Sequence, residues 1–150
     1  MPVVSLESPR RDDVLTLLQQ ADDFALSLYP VENYHRLDID GLEKASVGFY
    51  VARENGEALG TAAIVDRGDG SAELKRMFVT ASARGLGVGR ALMAAVEEHA
   101  RARGVTLIQL ETGLPQTAAI ALYEKSGYRV IPAFGPYIDD PTSYCMEKSL

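Results

Sequence analysis

Arg84-Gly85-Leu86-Gly87-Val88-Gly89 is the segment that most narrows what this chain can fold into. It sets three glycines at alternate positions between an apolar run ending at Val79 and an amphipathic run beginning at Val88. Such a junction reads as strand, tight turn, helix. The first N–H groups of a helix have no partner within it and lie at the positive end of its dipole. Glycine puts no Cβ between that backbone and a ligand, so the turn suits an anion, and a diphosphate in particular. Arg84 and Arg90 flank it with positive charge. Two other phosphate motifs fail on spacing. The dinucleotide fingerprint needs glycine at position 90, where arginine stands, and the nucleotide P-loop needs a closing G-K-[ST] that is missing.

The phosphate site must be local, because the chain as a whole is acidic. Its 150 residues carry a net charge of −6, which argues against a nucleic-acid partner. With 47% hydrophobic and 24% charged residues it reads as one globular domain spanning 1–150. Cys145 is the sole cysteine, so no internal disulfide forms, as expected in a reducing cytoplasm. Met1 to Arg11 lacks the basic-then-apolar pattern of a signal peptide, and no apolar run is long enough to span a membrane. No His, Cys, Asp or Glu cluster has metal-ligand spacing.

Around the turn, the pattern predicts a mixed α/β sheet flanked by helices. Val3 to Leu6 reads as a strand. Ser8-Pro9 reads as a helix start, with Val14, Leu17, Leu18, Ala21, Ala25 and Leu28 as the apolar stripe and Tyr29-Pro30 as the stop. Residues 31–46 look irregular, with a short helix near Asp40 to Lys44. Val47 to Arg53, Ala58 to Val65 and Ala72 to Val79 read as successive strands, the first two joined by an Asn55-Gly56 hairpin turn. A helix from Val88 to Arg103, a strand from Thr106 to Glu111, a helix from Gln116 to Ser126, and strands at 128–131 and 143–147 complete the order.

With these motifs in place, the chain resembles the GNAT superfamily of N-acetyltransferases. Arg84, Gly87 and Gly89 fill that family's cofactor signature [Q/R]-x-x-G-x-[G/A]. The likeness runs upstream through Glu73 to Val79. It runs downstream through Ala119, Leu122-Tyr123 and Gly127-Tyr128, which fit A-x-x-L-Y-x-x-x-G-[F/Y]. Tyr29-Pro30, His35, Leu37-Asp38 and the tail from Ser143 to Lys148 are similar to bacterial members labelled as indole-acetate-related acetyltransferases.

The resemblance implies the GNAT fold: a mostly antiparallel mixed sheet whose fourth strand splays from the fifth, with acetyl-CoA in the gap. It implies that the backbone of Met77, Phe78 and Val79 pairs with the pantetheine arm. The turn of Arg84, Gly85, Leu86, Gly87, Val88, Gly89 and Arg90 would hold the pyrophosphate. Gln116, ahead of Ala119, stands where the family often has an asparagine near the pantetheine. Tyr123 falls where many members place a tyrosine near the CoA sulfur, and a neutral phenol can donate a proton there. The other reading of Tyr123 is core packing. Glu73 falls at the spacing of a catalytic glutamate, facing the cleft as the base that deprotonates the amine. The other reading of Glu73 is a salt bridge to Lys75 or Arg76.

The acceptor amine is less legible. Tyr29 and His35 are candidates for binding it, along with Glu73. Glu32, Asp38 and Asp40 hint at a cationic substrate, and Tyr29, Tyr34 and Tyr137 hint at an aromatic wall. Cys145 and His99 read as structural. Phe134, Tyr137 and the late strands suggest a homodimer seam. Two alternatives use the same scaffold: a non-catalytic acyl-CoA-sensing module, and an interaction subunit that binds no CoA.

Overall fold

Asn55 and Gly56 take positive φ angles, 51° and 82°, and so close a tight hairpin in the middle of a seven-stranded sheet. The computed structural model describes residues 2–150. Its strands are β1 (Val3–Leu6), β2 (Val47–Glu54), β3 (Glu57–Asp66), β4 (Ser71–Val79), β5 (Leu107–Gly113), β6 (Arg129–Ile131) and β7 (Ser143–Ser149). They lie in the order β1-β2-β3-β4-β5-β7-β6. Neighbours run antiparallel except β4 and β5, which are parallel. A parallel pair needs a long crossover, and α3 (Val88–Ala102) supplies it.

Alternate strand residues serve the two faces of the sheet. Phe49, Val51 and Ala63 turn to one side. There they pack with Val14 and Leu18 of α1 (Asp12–Leu28) and Leu42 of α2 (Ile39–Leu42). Ala52, Ala62 and Ile64 turn to the other side. They pack with Val88, Leu92 and Val96 of α3 and with Tyr123 of α4 (Thr117–Lys125). Each fully buried Leu, Ile or Val stabilises the fold by about 1.5–3 kcal/mol. No helix among the described residues is long and apolar enough to cross a membrane.

The expected order of elements holds, with one helix start displaced. Ser8 does not cap α1. Its Oγ accepts from the Arg10 N–H at 3.1 Å and closes a separate turn, and the helix begins at Asp12. Asp12 and Asp13 then occupy its first turn, where negative charge meets the positive end of the dipole. The helix stops at Tyr29, as Pro30 dictates.

The expected splay is present and has a visible cause. β4 pairs with β5 only from Ser71 to Leu74, opposite Leu107 to Leu110. Past Leu74 it keeps β3 alone, and its register slips against Thr61 and Ala63. Arg76 takes up the slip at a φ of 55°. A bulge of this kind bends and twists its strand. It is pinned by Thr61 Oγ1 donating to the Arg76 carbonyl at 2.8 Å.

Candidate active site

The splay leaves the β5-facing edge of β4 unpaired from Lys75 to Val79. An extended ligand can add to such an edge as a strand would. Met77 and Val79 pack against the core, while Met77 and Phe78 also line the cleft. Gln116 stands opposite, at the N-cap of α4, and its Nε2 donates to the Tyr29 hydroxyl at 3.1 Å. Ala119 lies one turn into the same helix and packs against the core.

The glycine turn lies between a short 3-10 turn, Ala81–Ala83, and α3. Gly85 and Gly87 have φ of 82° and 80°, conformations that disfavour side chains, and a Cβ on either would meet nothing within 4 Å. The turn is therefore open on its concave side. Gly89 is glycine for a different reason: a Cβ there would come within 2.9 Å of Leu122 on α4. Val88, Gly89 and Arg90 form the first turn of α3, so their N–H groups have no acceptor further back in the helix. Leu86 is exposed, and Arg84 extends over the Phe24 ring at 5.7 Å. The turn fits a diphosphate.

At the head of the cleft, where β4 and β5 separate, Tyr123 lies 5% exposed beside Glu111. Burial pushes the Tyr123 phenol well above its usual value, and the Glu111 charge adds to the rise. Glu111, on β5, was not singled out from the sequence. Burial raises its carboxyl above the ordinary range, while the Ser143 hydroxyl and the charges of His35 and Lys75 oppose the rise. Ser143 Oγ donates to one Glu111 oxygen at 2.7 Å. Glu111 has no ion-pair partner among the described residues.

Glu73 does not line the cleft, contrary to expectation. Its carboxylate accepts from the Tyr137 hydroxyl at 2.6 Å and lies 3.4 Å from Arg67 and 3.7 Å from Lys75. Of the two expected salt-bridge partners of Glu73, Lys75 lies within ion-pair distance and Arg76 does not. The bulge sends Arg76 to Asp22 on α1 instead, at 2.7 Å. Tyr137 is no dimer surface: it is 1% exposed, and its hydroxyl links Lys75 to Glu73.

Tyr29, Tyr34 and His35 all reach the cleft wall. The two tyrosine rings sit 6.2 Å apart, each fixed by its hydroxyl, Tyr29 to Gln116 and Tyr34 to Asp22. His35 Nε2 is 2.8 Å from Asp140 Oδ2, and the His35 carbonyl accepts from Lys75 Nζ at 2.9 Å. Asp140 also accepts from Asn33 at 3.0 Å, which ties the 31–36 segment to the loop before β7. The hinted acidic trio lies elsewhere: Asp40 pairs with Arg10, Asp38 caps α2, and Glu32 is exposed. Cys145 is a buried thiol whose pKa burial raises, so it is no ready nucleophile. His99 meets the Tyr50 hydroxyl at 2.9 Å and does not line this cleft, a structural contact. No group of three His, Cys, Asp or Glu among the described residues is placed to hold a metal ion.

A sheet opened by a bulge, a diphosphate-fitting turn at one end and a buried tyrosine with a half-buried carboxylate at the other define an acyltransferase that works on a CoA thioester. Residues 12–128 match the family model of the acetyltransferase (GNAT) family, and the chain belongs to that family. It is 44% identical to the IAA acetyltransferase of Azospirillum brasilense over 153 aligned positions, covering 100% of each chain. It is 36% identical over 87 residues to N-acetyltransferase 8 of Rattus norvegicus, covering 55% of this chain and 39% of that one. Its fold matches a Klebsiella pneumoniae crystal structure assigned as an acyl-CoA N-acyltransferase, with a TM-score of 0.88 at 36% identity over 100% and 98% of the chains. It also matches the PaiA N-acetyltransferase of Thermoplasma acidophilum in complex with coenzyme A, with a TM-score of 0.79 at 15% identity over 100% and 99%. That last likeness is one of fold. The protein is an acetyl-CoA-dependent N-acetyltransferase.

Proposed function

We propose that the enzyme passes the acetyl group to a primary amine of a small molecule or peptide, by direct attack within a ternary complex. The observation that carries this reading is the half-buried Glu111 carboxylate, which lines the head of the cleft with Tyr123. An ammonium arriving there gives its proton to Glu111, whose raised pKa brings it nearer the range a base needs. The freed nitrogen lone pair attacks the thioester carbonyl carbon. The new C–N bond forms, the C–S bond breaks, and the second proton of the attacking nitrogen passes to solvent water as the amide forms. The electron pair leaves on the CoA sulfur.

Tyr123 receives that sulfur as a hydrogen-bond donor. A phenol ordinarily titrates near ~10 and a thiol near ~8.5, so complete transfer of the phenolic proton to the thiolate runs uphill. Burial steepens that slope. CoA therefore departs as a thiolate held by the Tyr123 O–H, and solvent supplies its proton. The cofactor contacts assigned to Met77, Phe78, Val79, the 84–90 turn, Gln116 and Ala119 rest on the unpaired edge, the open turn and the facing helix. Tyr29 and His35 rest on their place in the cleft wall, as acceptor-binding side chains. Glu73 is set aside as base because Tyr137, Lys75 and Arg67 occupy it.

We place this activity in the bacterial cytoplasm, carried by residues 1–150 as one domain. A homodimer would use Val130 on β6 and Ile138, apolar side chains 59% and 64% exposed, and sedimentation equilibrium tests it. The test of the base is the pH profile of kcat/KM, with acetyl-CoA as donor and amines of differing basicity. Wild type should lose activity as pH falls through the raised Glu111 pKa, beyond the loss that the amine's own protonation explains. Glu111→Gln should lack that limb and turn over about 100-fold or more slower. An unchanged limb in Glu111→Gln removes Glu111 as the base.

A further inference from the structure

The ionisable acidic and basic side chains on the cleft wall, tyrosines aside, are His35, Arg36, Lys75, Arg76 and Glu111. Three of the four basic groups are enclosed by partners of their own. His35 lies against Asp140 at 2.8 Å. Lys75 donates to the His35 carbonyl and the Tyr137 hydroxyl and lies 3.7 Å from Glu73. Arg76 is 4% exposed and donates to Asp22, the Leu37 carbonyl and the Tyr34 hydroxyl.

Arg36 differs. It shares the one Asp22 carboxylate with Arg76, each guanidinium taking one oxygen at 2.7 Å. One negative charge thus faces two positive charges. Arg76 is shut in, so the uncompensated charge is presented by Arg36, which is 48% exposed and has a single nitrogen engaged. The same cleft holds the opposite imbalance at Glu111, a half-buried carboxylate with no ion-pair partner and, among the described residues, only the Ser143 hydroxyl as donor. A charge drawn partly out of water without full compensation favours a ligand of opposite sign.

We propose that the acceptor is a zwitterion, an amino-acid-like molecule whose amine meets Glu111 and whose carboxylate meets Arg36. This rests on the reading of the cleft as the acceptor site of an amine acetyltransferase. Arg36 is then a specificity-determining residue. Its planar guanidinium keeps free N–H donors of the kind that bind a carboxylate in bidentate fashion. The Tyr29 and Tyr34 rings line the same cleft as Arg36 and Glu111, and an uncharged body joining the two ends would lie against them.

The test is steady-state kinetics with saturating acetyl-CoA on a panel of α- and ω-amino acids, each paired with its own carboxamide. Rates are expressed per unprotonated amine, so that the differing basicities of acid and amide cancel. At least one acid should exceed its amide by about tenfold or more in kcat/KM. Arg36→Gln should remove that preference by raising KM for the acid, leaving kcat and the amide's KM in place. Asp22 keeps Arg76 in this variant, so folding is not at stake, and an unshifted melting temperature checks it. Amides that match or exceed every acid overturn the proposal. So does an Arg36→Gln variant that weakens acid and amide alike, or neither. Acetyl-CoA binding without transfer to any amine is a different failure, that of the amine-acetylating reading itself.

Discussion

Arg76 holds Asp22 Oδ1 at 2.7 Å from a backbone at φ 55°, so the bulge that opens the sheet is tied to the first helix by an ion pair. A left-handed conformation costs a non-glycine residue roughly 1–2 kcal/mol. The pair, with the Thr61 and Leu37 hydrogen bonds, offsets that cost. The opening between β4 and β5 is thus fixed before any ligand arrives.

Asp22→Ala leaves the Arg76 guanidinium buried and unpaired. The expected loss of stability is about 3–5 kcal/mol, measured by urea unfolding. Burial alone would raise the Asp22 pKa, but hydrogen bonds from Tyr34 and Arg76 and the nearby positive charges outweigh it and hold the carboxyl below its usual value. The sign follows from linkage: a lowered folded pKa gives stability that is complete above the unfolded value, near ~3.9, and drains away as pH falls through the folded value. Below about pH 4, wild type should therefore lose more stability per pH unit than Asp22→Asn. Equal slopes would contradict this.

Gly87→Ala and Gly89→Ala should fail for different reasons. The first forces a side chain to φ 80°, at an expected cost of roughly 1–2 kcal/mol. The second drives a methyl into Leu122 at 2.9 Å, at roughly 1–3 kcal/mol. Leu122→Ala should then rescue Gly89→Ala and leave Gly87→Ala uncorrected, a coupling that a double-mutant cycle on melting data reads directly.

Tyr123→Phe removes the donor and keeps the ring in the core. Its kcat should fall about 10–100-fold while calorimetry finds acetyl-CoA binding unchanged. Because burial and Glu111 hold the phenol above its ordinary value, wild type should show no loss of activity from phenol ionisation up to about pH 10. A wild-type alkaline limb near pH 9 that Tyr123→Phe lacks would contradict the assignment.

Glu73→Gln should keep kcat within about threefold of wild type, because Glu73 faces Tyr137 and two cations and not the cleft. A loss of 100-fold or more would return Glu73 to the role of base.

The donor half of the site was legible because its chemistry is local. Gly85, Gly87 and Gly89 follow one another at a strand-to-helix junction, and the backbone of a turn that fits a diphosphate is contiguous in the chain. The acceptor half was not. Glu111 looked like one more residue at the end of a strand, and Asp140 sat in a loop 105 residues from the His35 it meets. Arg36 acquires its excess charge only where Arg76 competes for Asp22. Glu73 had the right spacing for a base, but spacing along a strand does not reveal that Tyr137, 64 residues on, donates to its carboxylate.

The sequence by itself determined the order of elements, the hairpin at Asn55-Gly56, the diphosphate turn and the family. Those follow from apolar periodicity and from φ angles that glycine and asparagine permit, all set within a few residues. Only the tertiary structure decided which carboxylate faces the cleft, which tyrosines line it and which arginine is left with charge to spare. Burial and pairing arise between segments far apart in sequence, and each side chain's role is fixed by the partners that reach it first.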